Sequence, residues 1–200
     1  MNEKFFDLKT EKQERMINAS LKIFALYGYQ NASTDEIVKE AGISKGLLFH
    51  YFGSKLGLYT FLADYCVRFM KMEVSNLNDK ETDYFVILKE VESAKFSALK
   101  KFPYLQQYLC SMEKETDDDV VNATNEHRAH LIMIYQEMMK KADYSKFRAE
   151  IDAKRISKMA DMVLKSLMLE EIESGAFKPE HYHAEALKYI EMLSQLVNKL

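Results

Sequence analysis

Lys45, Gly46, Leu47, Phe49, His50 and Tyr51 stand together in one short stretch, with Lys55 close behind. Side chains of these types could bind a polyanion. A lysine near a helix start meets a phosphate or a guanine edge. Histidine and tyrosine can hydrogen-bond bases or backbone, and leucine or phenylalanine can touch a thymine methyl. Glycine at 46 would let the backbone approach phosphates, at a cost of about 1 kcal/mol of helix stability against alanine. A helix that turns Leu, Phe, Tyr and His outward is poorly arranged for stability alone. The competing explanation for Phe49 and Tyr51 is a place in the core.

The surrounding residues predict the elements that hold this stretch. Ser33 stands at an N-cap position with Glu36 three residues later, the spacing of a capping box. Ile37, Val38 and Ala41 supply one apolar face, and Gly42 stands where a left-handed residue ends a helix. Ser44 then caps a second helix to about Phe52, whose Ile43, Leu48 and Phe52 can pack inward, and Ser54 caps a third. Two helices joined by so short a turn form a helix-turn-helix, which can present its second helix to the DNA major groove.

From Ile17 to Leu58 the chain resembles the DNA-binding domain of the TetR family of bacterial transcriptional regulators. The resemblance is carried by Ala19, Phe24, Gly28-Tyr29, Ser33, Ile37, Ala41-Gly42-Ile43-Ser44-Lys45-Gly46, Leu48-Phe49-His50-Tyr51-Phe52, Ser54-Lys55 and Leu58. It implies an all-α protein with a three-helix DNA-binding domain over residues 1–55. A helical effector-binding and dimerisation domain would follow over 56–200. It implies DNA contacts from Ser33, Thr34, Ser44, Lys45, Gly46, Leu47, Phe49, His50, Tyr51 and Lys55. Two departures stand out. The family has a polar residue or Thr where this chain has Leu47, and two acidic residues where it has Leu56-Gly57. A glutamate at 57 could close a capping box with Ser54, so Gly57→Glu is expected to raise thermal stability.

Composition agrees. Hydrophobic residues make up 48% of the 200, enough for a packed core, and six Gly with two Pro suit a mostly helical chain. About nine helices are predicted: residues 10–28, the helix-turn-helix pair, 55–77, 83–101, 104–114, one capped by Thr116 and running to 142, 147–174, and a last one after Pro179. Phe102-Pro103 forces a break. The Asp117-Asp118-Asp119 run fits helix-terminal charge better than a metal site. No apolar run is long enough to span a membrane, and no signal peptide is expected. Cys66 and Cys110 form no close-spaced motif and read as reduced thiols of a cytoplasmic protein. The net charge of −3 is unevenly spread. Residues 1–72 carry 10 Lys and Arg against 8 Asp and Glu, and the remainder 18 against 23. Any electrostatic footprint is therefore a local patch, with Lys9, Lys12, Arg15, Lys45 and Lys55 as its members.

Two late helices carry apolar stripes: Ile156, Met159, Ala160, Val163 and Leu167 on one, and Ala186, Ile190, Leu193, Val197 and Leu200 on the other. Such stripes pack helices at shallow angles, within one chain or between two. The resemblance favours the second, with Ile156, Met159, Val163, Leu167, Ala186, Ile190, Leu193 and Val197 between subunits of a homodimer on a palindromic operator. It also implies a small-molecule effector, apolar or aromatic, among the Met and aromatic residues of the middle helices. Phe69, Phe96, Tyr104, Tyr108, Arg128, Met133 and Met159 are the residues expected there, although each Met taken alone fits a plain core. The resulting expectation is a one-component repressor, not an enzyme, with neither metal nor cofactor. The rival class is a helical-bundle enzyme or metal carrier. His127 and His130, and Glu180 with His183, have helical metal-ligand spacing, but a di-iron bundle needs two Glu-x-x-His motifs and one is present.

Overall fold

The computed structural model describes residues 3–78, 80–175 and 177–199. Among them are nine α-helices and no strand: α1 (Thr10–Asn31), α2 (Thr34–Ala41), α3 (Lys45–Phe52), α4 (Lys55–Ser75), α5 (Tyr84–Lys101), α6 (Leu105–Glu113), α7 (Asp118–Met139), α8 (Ala153–Glu173) and α9 (Pro179–Val197). A 3-10 turn, Glu3–Phe5, precedes them. Packing divides the chain into two compact units. The first comprises Met1–Lys71 and Lys101–Ile132, the second Met72–Lys100 and Met133–Leu200. The boundary at residue 55 inferred from sequence falls inside the first unit, because α6 and the start of α7 pack with the N-terminal helices.

In the first unit α1 buries the expected stripe, Ile17, Leu21, Phe24 and Ala25, together with Met16 and Ile23. Its helical backbone breaks at Gly28. On α4, Leu58, Leu62, Cys66 and Phe69 face inward as their spacing predicts. Aromatic rings fill the space between helices. Tyr59 meets Phe24, Tyr29 and Tyr108 edge-on at 4.9, 5.2 and 5.1 Å. Such pairs add about 0.5–1.5 kcal/mol beyond their buried area. The buried Tyr108 hydroxyl donates to the Tyr59 carbonyl at 2.8 Å, so it keeps a partner.

In the second unit Ala160, Leu164 and Met168 of α8 pack in one cluster with Tyr182, Ala186, Ile190, Leu193 and Val197 of α9. This corrects the subunit-interface expectation for the α9 stripe. Ala186, Ile190, Leu193 and Val197 are buried in their own chain, the outcome that periodicity alone left open, and Ile156 and Leu167 pack partly against the same cluster. Leu200 lies outside the described residues. Exposed apolar side chains sit elsewhere on the same helices: Met159 and Met162 on α8, Tyr189, Met192 and Leu196 on α9. Glu92 is fully buried, with the Tyr182 hydroxyl donating to it at 2.7 Å and Lys95 paired at 2.6 Å.

Two boundaries differ from expectation. The cap of α7 is Asp117, whose carboxylate accepts from the Asp119 and Val120 N–H groups, rather than Thr116. Helix α8 starts at Ala153, capped by Asp152, rather than near 147. Phe147 is buried in the core, and its neighbours pair with the end of α9: Arg148 N–H to the Val197 carbonyl and Lys199 N–H to the Lys146 carbonyl, both 2.9 Å. No helix of the described residues is long and apolar enough to cross a membrane.

Candidate nucleic-acid interface

Side chains fix both ends of the turn between α2 and α3. Ser33 Oγ accepts from the Asp35 N–H at 3.2 Å, so the cap closes on Asp35 rather than on Glu36. Gly42 takes φ 62° and ψ 44°, the left-handed conformation that its position predicts. The N–H groups of Gly42 and Ile43 then close onto the carbonyls of Lys39 and Val38. Ser44 Oγ accepts from the Leu47 N–H at 3.2 Å and starts α3. Leu48 is the buried anchor of α3, with Ile43 and Phe52 half-buried beside it.

The opposite face of α3 carries exposed Lys45, Gly46 and His50, with Leu47, Phe49 and Tyr51 half-buried. Ser44 is exposed, and Ser33 and Thr34 are half-buried at the start of α2. Apart from its chain neighbours and its own helix backbone, no atom of the described residues comes within 4 Å of where a Gly46 Cβ would lie, so packing does not demand glycine there. Lys45 Nζ pairs with the Asp35 carboxylate at 2.9 Å, and both side chains are largely exposed. Such a pair is worth about 0–1 kcal/mol, little enough for a phosphate to displace the aspartate. The first turn of α3 holds no acidic residue, so its N–H groups and dipole favour an anion. On α2 the same end is occupied by Asp35 and Glu36.

Lys55 has a different place from the other cations. Its ammonium donates to the carbonyls of Gln30 and Ala32 at 3.1 and 2.9 Å and lies 4.7 Å above the Tyr29 ring. It closes the C-terminal end of α1, and burial pulls it below the ordinary lysine value. Lys9 and Arg15 are exposed and Lys12 half-buried.

Phe5 is a structural contributor that periodicity could not find. It is fully buried, packed against Tyr51, Phe52 and Phe61 at 5.8, 5.3 and 5.0 Å. Gln13 Nε2 fastens the same segment by donating to the carbonyls of Phe6 and Leu8. The aromatic run Phe5-Phe6 before the first helix was the available signal. Tyr51 is thus partly a packing residue, as the core explanation allowed, while Phe49 stays half-buried.

Gly57 overturns the expectation of a stabilising glutamate. A Cβ at this position would meet the Phe52 carbonyl oxygen at 2.1 Å, and that oxygen also accepts from Ser54 N–H at 2.8 Å. Ser54 caps α4 as predicted, accepting from Gly57 N–H at 2.9 Å. The glycine is what lets α4 touch the end of α3.

The side chains expected at an effector site are divided between the two units. Phe69, Tyr104, Tyr108 and Arg128 belong to the first unit, and Phe96, Met133 and Met159 to the second. Phe69 packs on Phe102 at 5.0 Å, Tyr108 is core, Phe96 stacks on His183 at 4.5 Å, and Met133 and Met159 are exposed. An open cleft of about 670 Å³ does border α3, lined by Tyr51, Phe52, Gly57, Phe61, Arg68 and His127 among others. That placement of His127, and the stacking of His183, account for two of the histidines with metal-ligand spacing. Among the described residues no three His, Cys, Asp or Glu side chains converge as metal ligands. Cys66 is fully buried, which raises its thiol above the ordinary cysteine value, and Cys110 is half-buried.

Comparison with known proteins places this geometry. Residues 16–60 match the family model of bacterial regulatory proteins, tetR family. The HTH-type transcriptional regulator YerO of Bacillus subtilis is 36% identical over 73 residues, 36% of this chain and 24% of its own. YuxN of the same organism is 44% identical over 55 residues, 28% of this chain and 19% of its own. The chain thus spans a quarter or less of the length of these relatives. The fold likeness reaches further. The transcriptional regulator FadR from Bacillus subtilis, solved in complex with stearoyl-CoA, superposes with TM-score 0.65 at 18% identity, covering 90% of this chain and 96% of that one. The family model falls on the residues that build and cap α2 and α3, so the helix-turn-helix segment of this chain is similar to that of the TetR family of bacterial regulatory proteins, and the rest of the chain shares the fold of such regulators.

Proposed function

We propose that this protein is a one-component transcriptional repressor of the cytoplasm, without enzymatic activity, that reads a palindromic operator as a homodimer and responds to a small-molecule effector. The observation that carries the reading is the exposed face of α3. Lys45, Gly46 and His50 are exposed there beside a serine-capped N-terminus whose first turn holds no acidic residue, Lys45 being held by the exposed Asp35. Phosphates would meet that N-terminus, Lys45 and the two capping serines, while His50 and Leu47 reach base edges. One such helix recognises few bases, so two on a symmetric site are physically expected. The FadR structure, with its bound stearoyl-CoA, supports an apolar effector for this chain.

The dimer face we infer keeps Met159 of the interface first inferred and takes its other members from exposed side chains. Met159 and Met162 of α8, and Met192 and Leu196 of α9, are the exposed apolar side chains that a second copy would cover. Met162 is 63% and Leu196 58% exposed, far above what side chains of this kind keep in a core.

Selection from a random duplex library with the full chain tests the reading. An inverted repeat should emerge, and His50→Ala should cost about 1–3 kcal/mol on that site and relax base choice. Recovery of no preferred sequence would overturn it.

A further inference from the structure

Helix α7 turns Val120 and Thr124 fully inward, one helical step apart. The next position of that stripe is Arg128. Its guanidinium Nε and Nη2 are buried and have no hydrogen-bond partner, and neither does the buried hydroxyl of Tyr59. Ser111 Oγ donates to the Tyr108 carbonyl at 2.9 Å and lies close enough to act on the Tyr59 hydroxyl as well. Arg128 stands close enough for its charge to act on both Tyr59 and Tyr108.

A guanidinium keeps its charge at every physiological pH, so it cannot escape burial by losing a proton. Arg128 as a whole is half-buried, but buried N–H donors left without an acceptor cost free energy. Nε–H and the neighbouring Nη2–H form one edge of the guanidinium plane. Their two parallel bonds match the two oxygens of a carboxylate. Burial holds the Tyr59 phenol protonated, with its pKa pushed up to about 12, so it adds a third, neutral donor. The Tyr59 ring meets those of Phe24, Tyr29 and Tyr108, which suits an apolar body on the ligand. One residue before Arg128, His127 lines the cleft of about 670 Å³, so this stretch of α7 also borders open volume.

We propose that the Nε/Nη2 edge of Arg128, aided by the Tyr59 hydroxyl, anchors the carboxylate of a small organic acid with an apolar or aromatic body. The site lies in the same unit as the helix-turn-helix, and the proposal rests on the effector-responsive reading above.

The test uses the full chain and three carboxylates, acetate, benzoate and decanoate, against benzamide, decanamide and inorganic phosphate. Benzoate or decanoate should bind the parent protein by calorimetry, with the matching amide at least about tenfold weaker, as expected for loss of a charged hydrogen-bonded pair. Arg128→Gln should lose the same factor. Arg128→Lys, which keeps charge but not the two-donor edge, should fall between. Without any ligand, Arg128→Met should melt no lower than the parent, because it removes two buried donors that have no acceptor. A lower melting temperature would mean that Arg128 is a satisfied structural residue, and would overturn the proposal. So would equal binding of acid and amide, binding of phosphate alone, or no response to any of the three acids. Operator binding measured on the same preparations separates the two readings. A parent that selects an operator yet ignores carboxylates sinks this site only, and one that binds carboxylate but no DNA sinks the regulator.

Discussion

Substituting Gly57 by alanine should destabilise the head of this protein, and the structure supplies the magnitude. The added Cβ would lie 2.1 Å from the Phe52 carbonyl oxygen, about 1 Å inside the closest tolerable approach. Retreat is blocked on both sides. The Phe52 ring packs on Phe5 and Phe61 at 5.3 and 4.9 Å, and its carbonyl is tied to Ser54 N–H. Over-packing of this kind costs about 1–3 kcal/mol. Displacing α4 also stretches the 2.9 Å bond from Gly57 N–H to Ser54 Oγ, a cap worth about 1 kcal/mol. The better helix propensity of alanine returns about 1 kcal/mol. The net is a loss of about 2 kcal/mol, or roughly 4–8 °C in melting temperature for a chain of this length. Gly57→Glu should do at least as badly, opposite in sign to the capping-box argument. Because Phe52 ends the recognition helix, operator affinity should fall as well. Thermal melts followed by circular dichroism, with anisotropy on a labelled operator, decide it. A Gly57→Ala protein that melts at or above the parent temperature refutes the close-packing argument and restores the sequence expectation.

Three further outcomes follow from the same contacts. Lys55→Met should lower stability by about 1–2 kcal/mol, since two carbonyls lose their donor, while leaving the salt dependence of DNA binding unchanged; a slope smaller by about one unit would make Lys55 a phosphate contact instead. Leu193→Glu should unfold the second unit by burying a charge in its core, whereas Leu196→Glu should stay folded and split the dimer; sedimentation with circular dichroism distinguishes them, and a folded Leu193→Glu monomer would return the α9 stripe to the interface. Cys66 should react with a thiol reagent only as the protein unfolds, because its thiol is buried and held protonated, while Cys110 reacts in the native state; rapid native labelling of both would contradict the packing of α4.

What could be read from the sequence was what is local. Ser33, Gly42, Ser44 and Ser54 act within three residues of themselves, and each one stands at the helix end its type predicted. The stripes of α1 and α4 were legible because a buried face repeats with the helix period. Partners far along the chain left no such trace. The α9 stripe has the same period whether a second copy or α8 covers it, so spacing could not assign Leu193 to the core. Lys55 looks like any basic residue near a recognition helix until the carbonyls of Gln30 and Ala32 are placed beneath it. Gly57 is the sharpest case. The capping-box rule weighs a missing side-chain bond between residues 54 and 57, whereas what decides the position is a backbone oxygen at 52 brought within 2.1 Å by the angle between two helices. A local rule states a preference of a few tenths to 1 kcal/mol, and a steric contact of that closeness exceeds it several-fold. Where a residue defies the pattern around it, as Gly57 and the inward Arg128 both do, the departure points to a contact that the sequence cannot display. At Gly57 that contact is the chain's own backbone; at Arg128 the proposed partner is a ligand's carboxylate, so the first position tests the fold and the second tests the ligand.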